Sequence, residues 1–161
     1  ALKWLLKAAD LGHAEARNTL GRRYEDGRGV PKSNAEAIKW YRRAAEQGNA
    51  SAQYNLGIMY ANGQGVPQDS AIAIKWHRKA AEQGDAEAQY NLGIMYSNGV
   101  GVPQDYVQSY YWHSLAASRS AGGDHKKCSD ARDQVAKKLT PENLMEAQRM
   151  TREWETSHPK K

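Results

Sequence analysis

The sequence predicts an all-α chain of stacked antiparallel helix pairs. Three observations carry that reading. Tryptophan recurs at a fixed step of 36 residues, a set of glycine-rich breaks keeps the same step, and the apolar residues between breaks fall at helical spacing. Trp4, Trp40, Trp76 and Trp112 mark the step, as do Gly12/Gly48/Gly84, Leu20/Leu56/Leu92, Gly21/Gly57/Gly93 and Tyr24/Tyr60/Tyr96. Gly27-x-Gly29-Val30-Pro31 returns as Gly63-x-Gly65-Val66-Pro67 and as Gly99-x-Gly101-Val102-Pro103. Residues 44–69 and 80–105 agree at 22 of 26 positions, differing only at Asn49/Asp85, Ser51/Glu87, Ala61/Ser97 and Gln64/Val100.

Taken in order, Ala1 aligns with Ala37, so residues 1–12 read as a half repeat, a second helix continuing from an upstream segment of a longer protein. Repeats are expected at 13–48, 49–84 and 85–120, with capping helices and a frayed tail over 121–161, the whole of 1–161 forming one array. Each repeat reads as two helices, exemplified by residues 50–62 and 70–83. Asn49 and Asp85 stand where the first helices need an N-cap acceptor, and Ser33, Asp69 and Asp105 where the second helices need one. Gly12, Gly48 and Gly84 end the second helices, and the Gly-x-Gly-Val-Pro stretch ends the first, because proline forbids its resumption. After Ala117 the pattern decays, with Ser120 where Gly84 stands and Ser129 where Gly93 stands. A helix over 124–138 still fits, then Thr140 as N-cap with Pro141 at the first helical position. Leu144, Ala147 and Met150/Thr151 give that last helix one apolar edge, as a terminal cap requires, and Ser157 to Lys161 are expected to fray.

The core is read from side-chain size. Ala37, Trp40, Tyr41, Ala44 and Ala45 form the inner stripe of a second helix, and Ala52, Leu56, Met59 and Tyr60 that of a first helix, with Gly57 at its edge. The tryptophan ladder is assigned to this core in preference to a stacking platform for bases or sugars. No single pair has enough apolar area to fold alone, so pairs must share a continuous core.

The period of 36 and the pattern A-x-A-Q-Y-N-L-G-x-M-Y-x-N-G-x-G-V-P-Q-D followed by A-x-x-W resemble Sel1-like repeats, relatives of the tetratricopeptide repeat, over roughly residues 1–120. The segment Leu139 to Trp154 also resembles the closing segment of many bacterial proteins with these repeats. The resemblance implies a right-handed α-solenoid whose first helices line a concave face, a protein- or peptide-binding adaptor without catalysis, and a bacterial periplasmic or secreted setting.

Composition agrees with a folded chain. Charged residues are 25% and hydrophobic ones 40%, and no apolar stretch reaches the roughly 20 residues a membrane helix needs, so no membrane insertion is expected. The net charge of +5 is spread along the chain, without the basic face of a nucleic-acid binder. One cysteine excludes an internal disulfide framework.

Candidate chemistry is sparse. The Gly-x-Gly turns lack a preceding strand and a P-loop lysine, and the helices after them begin on Ser33, Asp69 and Asp105, where a carboxylate takes the place of a phosphate. Cys128 falls at the Leu56/Leu92 position and reads as a buried thiol; the alternative, a reactive thiol, needs a histidine nearby, and His125 stands three residues away on a neighbouring part of the same face. His77 and His113 share a position with Tyr41 and Leu5, a semi-buried packing slot. No histidine and cysteine spacing supports a metal, and no cofactor is implied. A β-lactam-binding or slowly β-lactam-hydrolysing enzyme is the alternative that some cysteine-rich relatives imply; they carry cysteine pairs within repeats, and this chain has one cysteine and no evident serine–lysine pair. A structural spacer in a larger protein is the third reading. The position that distinguishes a binding surface lies on the first helices. Tyr54 and Ile58 repeat as Tyr90 and Ile94, but the first repeat has Asn18 and Arg22 there. A position that takes isoleucine twice and arginine once is not buried in all three. By the resemblance these six residues face the groove, where a protein or peptide partner would meet an apolar strip and a cationic end; packing between first helices is the competing account.

Overall fold

The helices begin where the repeat puts acceptors. In the computed structural model, which describes residues 2–159, Asn49 Oδ1 accepts from the Ala52 amide at 2.8 Å, Asp69 from Ile72 at 2.9 Å, Asp85 from Ala88 at 2.9 Å and Asp105 from Gln108 at 3.0 Å. Ser33 and Thr140 cap in the same way, each at 3.3 Å. Each such cap is worth about 1 kcal/mol. His13 stands at the equivalent first-helix position and makes no side-chain cap bond. Among the described residues the order is α1 (Leu2–Asp10), α2 (Ala14–Asp26), α3 (Asn34–Glu46), α4 (Ala50–Asn62), α5 (Ser70–Glu82), α6 (Ala86–Asn98), α7 (Tyr106–Arg119), α8 (Gly122–Ala136) and α9 (Pro141–Ser157), with no strand. The first helices end on Gly27, Gly63 and Gly99, whose φ of +75°, +66° and +67° only glycine adopts without strain. The capping helix α8 starts two residues before its expected beginning and ends two before its expected end.

The chain divides into two units, one up to Ala80 and one from Ala81 onward. In the first, α1 packs on α2, α2 on α3 and α3 on α4. Its core is Ala37, Ile38, Tyr41, Ala44 and Ala45 of α3 against Ala52, Leu56 and Met59 of α4, with Tyr24, Tyr60 and Trp76 at the margin. In the second, α7 packs against α6, α8 and α9. Ala116, Ala117 and Cys128 form one cluster; Tyr110, Val135 and Ala147 form another, edged by Leu139 and Leu144. On α9 only Ala147 is buried, and Met145 is 68% exposed, the one-sided pattern of a terminal cap.

Two expectations need correction. The tryptophan ladder is not the core: Trp4 is 71% exposed, Trp40 and Trp76 are half-buried, and only Trp112 is buried. The first three indoles each carry a cation from three residues on, Lys7 at 5.6 Å, Arg43 at 5.0 Å and Lys79 at 4.8 Å from the ring centroid. An aromatic ring with a snorkelling cation is stable at a half-wet edge, so a fixed step does not demand burial. The tail is also more ordered than expected. Ser157 closes α9, His158 stacks on Trp154 with centroids 4.3 Å apart, and the His158 carbonyl accepts from Arg119 Nη2. Ala1, Lys160 and Lys161, the last two of the expected fray, lie outside the described residues.

Candidate functional site

Every first helix turns one face inward. In α4 that face is Ala52, Leu56 and Met59, all essentially unexposed, and Gln53 reaches back to donate to the Ala45 carbonyl at 3.0 Å. Gln89 does the same to Ala81 at 3.0 Å. Beside the leucine, the chain has Gly21, Gly57 and Gly93, and the reason lies on the helix opposite. A Cβ on Gly57 would stand 2.7 Å from His77 Cε1, one on Gly93 2.5 Å from His113 Cε1, and one on Gly21 2.5 Å from Tyr41 Cδ1. The ring of each second helix therefore lies directly on the backbone of its first helix.

At three of its four positions that slot is fully buried, which corrects the semi-buried reading there: Tyr41 is 0% exposed, His77 1% and His113 2%, while Leu5 is half-buried. A histidine at a position shared with leucine and tyrosine looked partly wet from sequence; the facing glycine was the signal that it is not. The Tyr41 hydroxyl donates to Glu25 Oε2 at 2.6 Å, whereas His77 Nδ1 and His113 Nδ1 have no hydrogen-bond partner. Burial pulls both imidazoles down to about 4.

Two residues of the expected binding strip, Tyr54 and Tyr90, lie against the histidine rings. In the first unit, the Tyr54 ring stands 5.6 Å from His77 at 49°, half-buried, with Ile58 half-buried one turn on. Asn18 is 3% exposed, and its side-chain oxygen accepts from Asn55 Nδ2 at 3.2 Å, tying α2 to α4. Arg22 is exposed and lines a cleft of about 490 Å³ with Thr19, Arg23, Asp26, Arg28 and Gly29. Arg28 pairs with Asp26 at 3.1 Å there, so the cleft holds three guanidinium groups against one carboxylate. In the second unit, the Tyr90 ring stands 5.3 Å from His113 at 57° and has Lys127 Nζ 4.1 Å from its centroid, and it packs against the Ala116/Ala117/Cys128 cluster. Ile94 is 37% exposed and lines a cleft of about 210 Å³ with Asn98, His113, Gln134, Val135 and Lys138.

Cys128 is 3% exposed, as its leucine position predicts, and burial pushes its thiol up. Its Sγ is 3.8 Å from Ser120 Oγ, and His125, the possible base, instead turns Nδ1 to the Ala117 carbonyl at 2.8 Å. Among the described residues no group of three or more histidine, cysteine or acidic side chains could hold a metal ion. No described helix is long and apolar enough to cross a membrane.

The comparisons agree with this architecture. The Sel1 repeat family matches at residues 1–13, 14–49, 50–85 and 86–120. The chain is similar to a Sel1 repeat protein from Oxalobacter formigenes, with 40% identity and a TM-score of 0.72 over 80% of this chain and 97% of that one. It is also similar to c5321, a protective antigen present in uropathogenic Escherichia coli strains that displays an SLR fold, with 29% identity and a TM-score of 0.71 over 96% of this chain and 40% of that one. No curated protein matches. Sel1 repeat proteins are generally scaffolds for protein interaction and typically not enzymes, and their helix pairs form α-solenoids. With the repeats matched over three quarters of its length, the chain belongs to the Sel1 repeat family.

Proposed function

We propose that the chain is a non-catalytic scaffold that binds a protein or peptide partner through the exposed faces of its first helices. The observation that carries this reading is the isoleucine/arginine position: Ile94 is 37% exposed and Arg22 is exposed, each lining a cleft. Asn18, Arg22, Tyr54 and Ile58 serve in the first unit, Tyr90 and Ile94 in the second. Arg22 and Ile94 make the outward contacts. Tyr54 and Tyr90, each seated against a buried histidine, are the apolar walls of their own unit's strip, and Asn18 ties α2 to α4 through Asn55. Three guanidinium groups with one carboxylate select an acidic group, since arginine forks recognise carboxylates in a bidentate way. The partner therefore presents apolar residues followed by a carboxylate or acidic side chain.

A peptide array that varies apolar and acidic positions independently tests this, followed by anisotropy titration of the selected sequences. Arg22→Glu should remove the preference for acid, and Tyr90→Ala should weaken binding by roughly 1–3 kcal/mol if its wall is a hot spot. An array without selection, or binding unchanged in Tyr54→Ala/Tyr90→Ala, defeats the reading.

A further inference from the structure

We propose that the cleft between α7, α8 and α9 binds a free dipeptide as its zwitterion, the carboxylate between Arg132 and Arg152 and the ammonium at Glu155, His125 and Ser118. The cleft holds about 380 Å³, enough for a small ligand, and none of the strip residues lines it. Both α8 and α9 pack on α7, which forms its floor, from Tyr110 of one apolar cluster to Ala117 of the other. Two opposite charges on one wall are left without partners. Arg149 and Glu153, exposed on α9, pair at 2.7 Å. Arg152 and Glu155, three residues apart in the cleft, have no ion-pair partner among the described residues.

The register of the walls separates the charges. Ala147 lies beside Tyr110, and the His158 carbonyl accepts from Arg119, so α9 runs parallel to α7. Val135 also lies beside Tyr110, and His125 Nδ1 meets the Ala117 carbonyl at 2.8 Å, so α8 runs the other way. Arg132 and Arg152 therefore fall at one level, near Ser114, and His125 and Glu155 at the next, near Ala117 and Ser118. The two levels are three residues apart on α9 and seven on α8, about 4.5 Å and 10.5 Å. An α-amino acid holds its two charged groups about 2.5 Å apart on one carbon, whereas two extended residues span about 7 Å. The dipeptide fits that spacing.

Hydrogen-bond polarity sets the direction of the ligand. Ser114, Ser118 and Thr151 donate to the carbonyls of Tyr110, Leu115 and Ala147 at 2.8, 3.0 and 2.9 Å, so their oxygens offer only lone pairs to the cleft. His125 Nδ1 carries its proton toward a carbonyl, which leaves Nε2 as an acceptor in the neutral ring. Ser118, His125 and the Glu155 carboxylate thus supply three acceptors for the three N–H groups of an ammonium. At the other level, Asp133 Oδ1 fixes Arg132 through Nε at 2.8 Å and Nη2 at 2.7 Å. Arg132 Nη1, Arg152 and the Gln148 amide remain as donors to a carboxylate. Ser114 and Thr151, between the levels, accept the peptide N–H. A dianion would instead set one of its charges against Glu155 and these lone pairs.

NMR titration of the 161-residue chain with alanyl-alanine should shift amides of α7, α8 and α9 around the cleft, with a dissociation constant on the order of 1 mM or below. N-acetyl-alanyl-alanine and alanyl-alanine amide each lack one charge, and each should bind at least about tenfold more weakly. Glu155→Gln should weaken the free dipeptide by about tenfold and leave the acetylated form unchanged, and Arg152→Gln should weaken it and spare the amide. A purely structural loss would weaken every probe alike, and that outcome overturns the proposal. So does the absence of shifts at about 10 mM dipeptide, ten times the expected constant. Acetylated or amidated forms that bind as tightly as the free dipeptide overturn it as well, and because they act on the unaltered protein they decide the question even where a variant does not fold. Succinate that binds as tightly assigns the cleft to anions, and alanine that does so removes the dipeptide spacing; either result defeats the assignment.

Discussion

Gly57→Ala is a one-carbon change whose sign depends on a ring on the next helix. In an exposed helix interior, replacing glycine by alanine stabilises by about 1 kcal/mol through backbone entropy. Here the new Cβ would stand 2.7 Å from two atoms of the His77 ring and 3.0 Å from a third, about 1 Å inside van der Waals contact. His77 is 1% exposed, so the ring has no solvent-side escape. Overpacking of this kind costs about 1–3 kcal/mol, and three close atoms on an immobile ring put it near the top of that range. The net expectation is a loss of about 2 kcal/mol, or a Tm lower by roughly 4–8 °C for a chain of this size. In a His77→Ala background the obstacle is gone, and the same Gly57→Ala change should stabilise by about 0.5–1 kcal/mol. Urea denaturation of the four proteins, followed by circular dichroism, gives the full cycle. If Gly57→Ala raises the unfolding midpoint while His77 is present, the close approach of ring to backbone does not govern this slot. Gly93 and His113 repeat the geometry at 2.5 Å and provide an internal replicate.

Acid should destabilise the chain at a mild pH. The folded state holds His77 and His113 at about 4, below the unfolded value near 6.5, so the unfolded chain binds more protons between those limits. Stability is full above pH 6.5 and is lost as pH falls toward 4, by up to about 3 kcal/mol per histidine; a stability profile flat across that window refutes the burial of these rings. Cys128 should react slowly with a thiol reagent in the native protein and quickly in denaturant, and Cys128→Ser should cost on the order of 1–3 kcal/mol for a buried hydroxyl. Ser120 Oγ, 3.8 Å away, holds that cost toward the lower end; rapid native labelling would return the reactive-thiol reading.

How far the sequence alone reached follows from which interactions are local. Caps and breaks act within four residues, so Asn49, Asp85, Ser33, Asp69, Asp105 and Thr140 were legible one by one, and the helix bounds followed. The Cys128 position was legible because the repeat supplies its burial by register, even where the surrounding pattern has decayed. The tryptophans were misread because recurrence shows that a position matters to the repeat, not which side of the ring is wet. On the candidate strip, the exchange of isoleucine for arginine implied a position not buried in every repeat, and Ile94 and Arg22 are exposed there while Ile58 is half-buried. Asn18 was harder, because the amide that buries it comes from Asn55, on another helix. The lysine that covers Tyr90 comes from α8, where the repeat no longer predicts side chains.

The strip and the slot beneath it are one design problem. The first-helix positions 18, 54 and 90 stand 23 residues before the slot positions 41, 77 and 113. Where the slot holds the larger tyrosine, the first-helix residue is the small Asn18; where it holds histidine, it is Tyr54 or Tyr90, each with its ring against the histidine. Close packing requires such exchange, because overfilling and underfilling a buried layer both cost stability. Polar satisfaction moves with volume. Tyr41 has Glu25 to receive its proton, and the equivalent positions beside the histidines are Ala61 and Ser97. The histidines instead leave Nδ1 unpaired and accept a depressed pKa. A change at this first-helix position is thus matched by a change of the buried ring: Asn18 goes with Tyr41, Tyr54 with His77 and Tyr90 with His113. The glycines that face the slot, Gly21, Gly57 and Gly93, stay fixed while its ring and the first-helix residue change together.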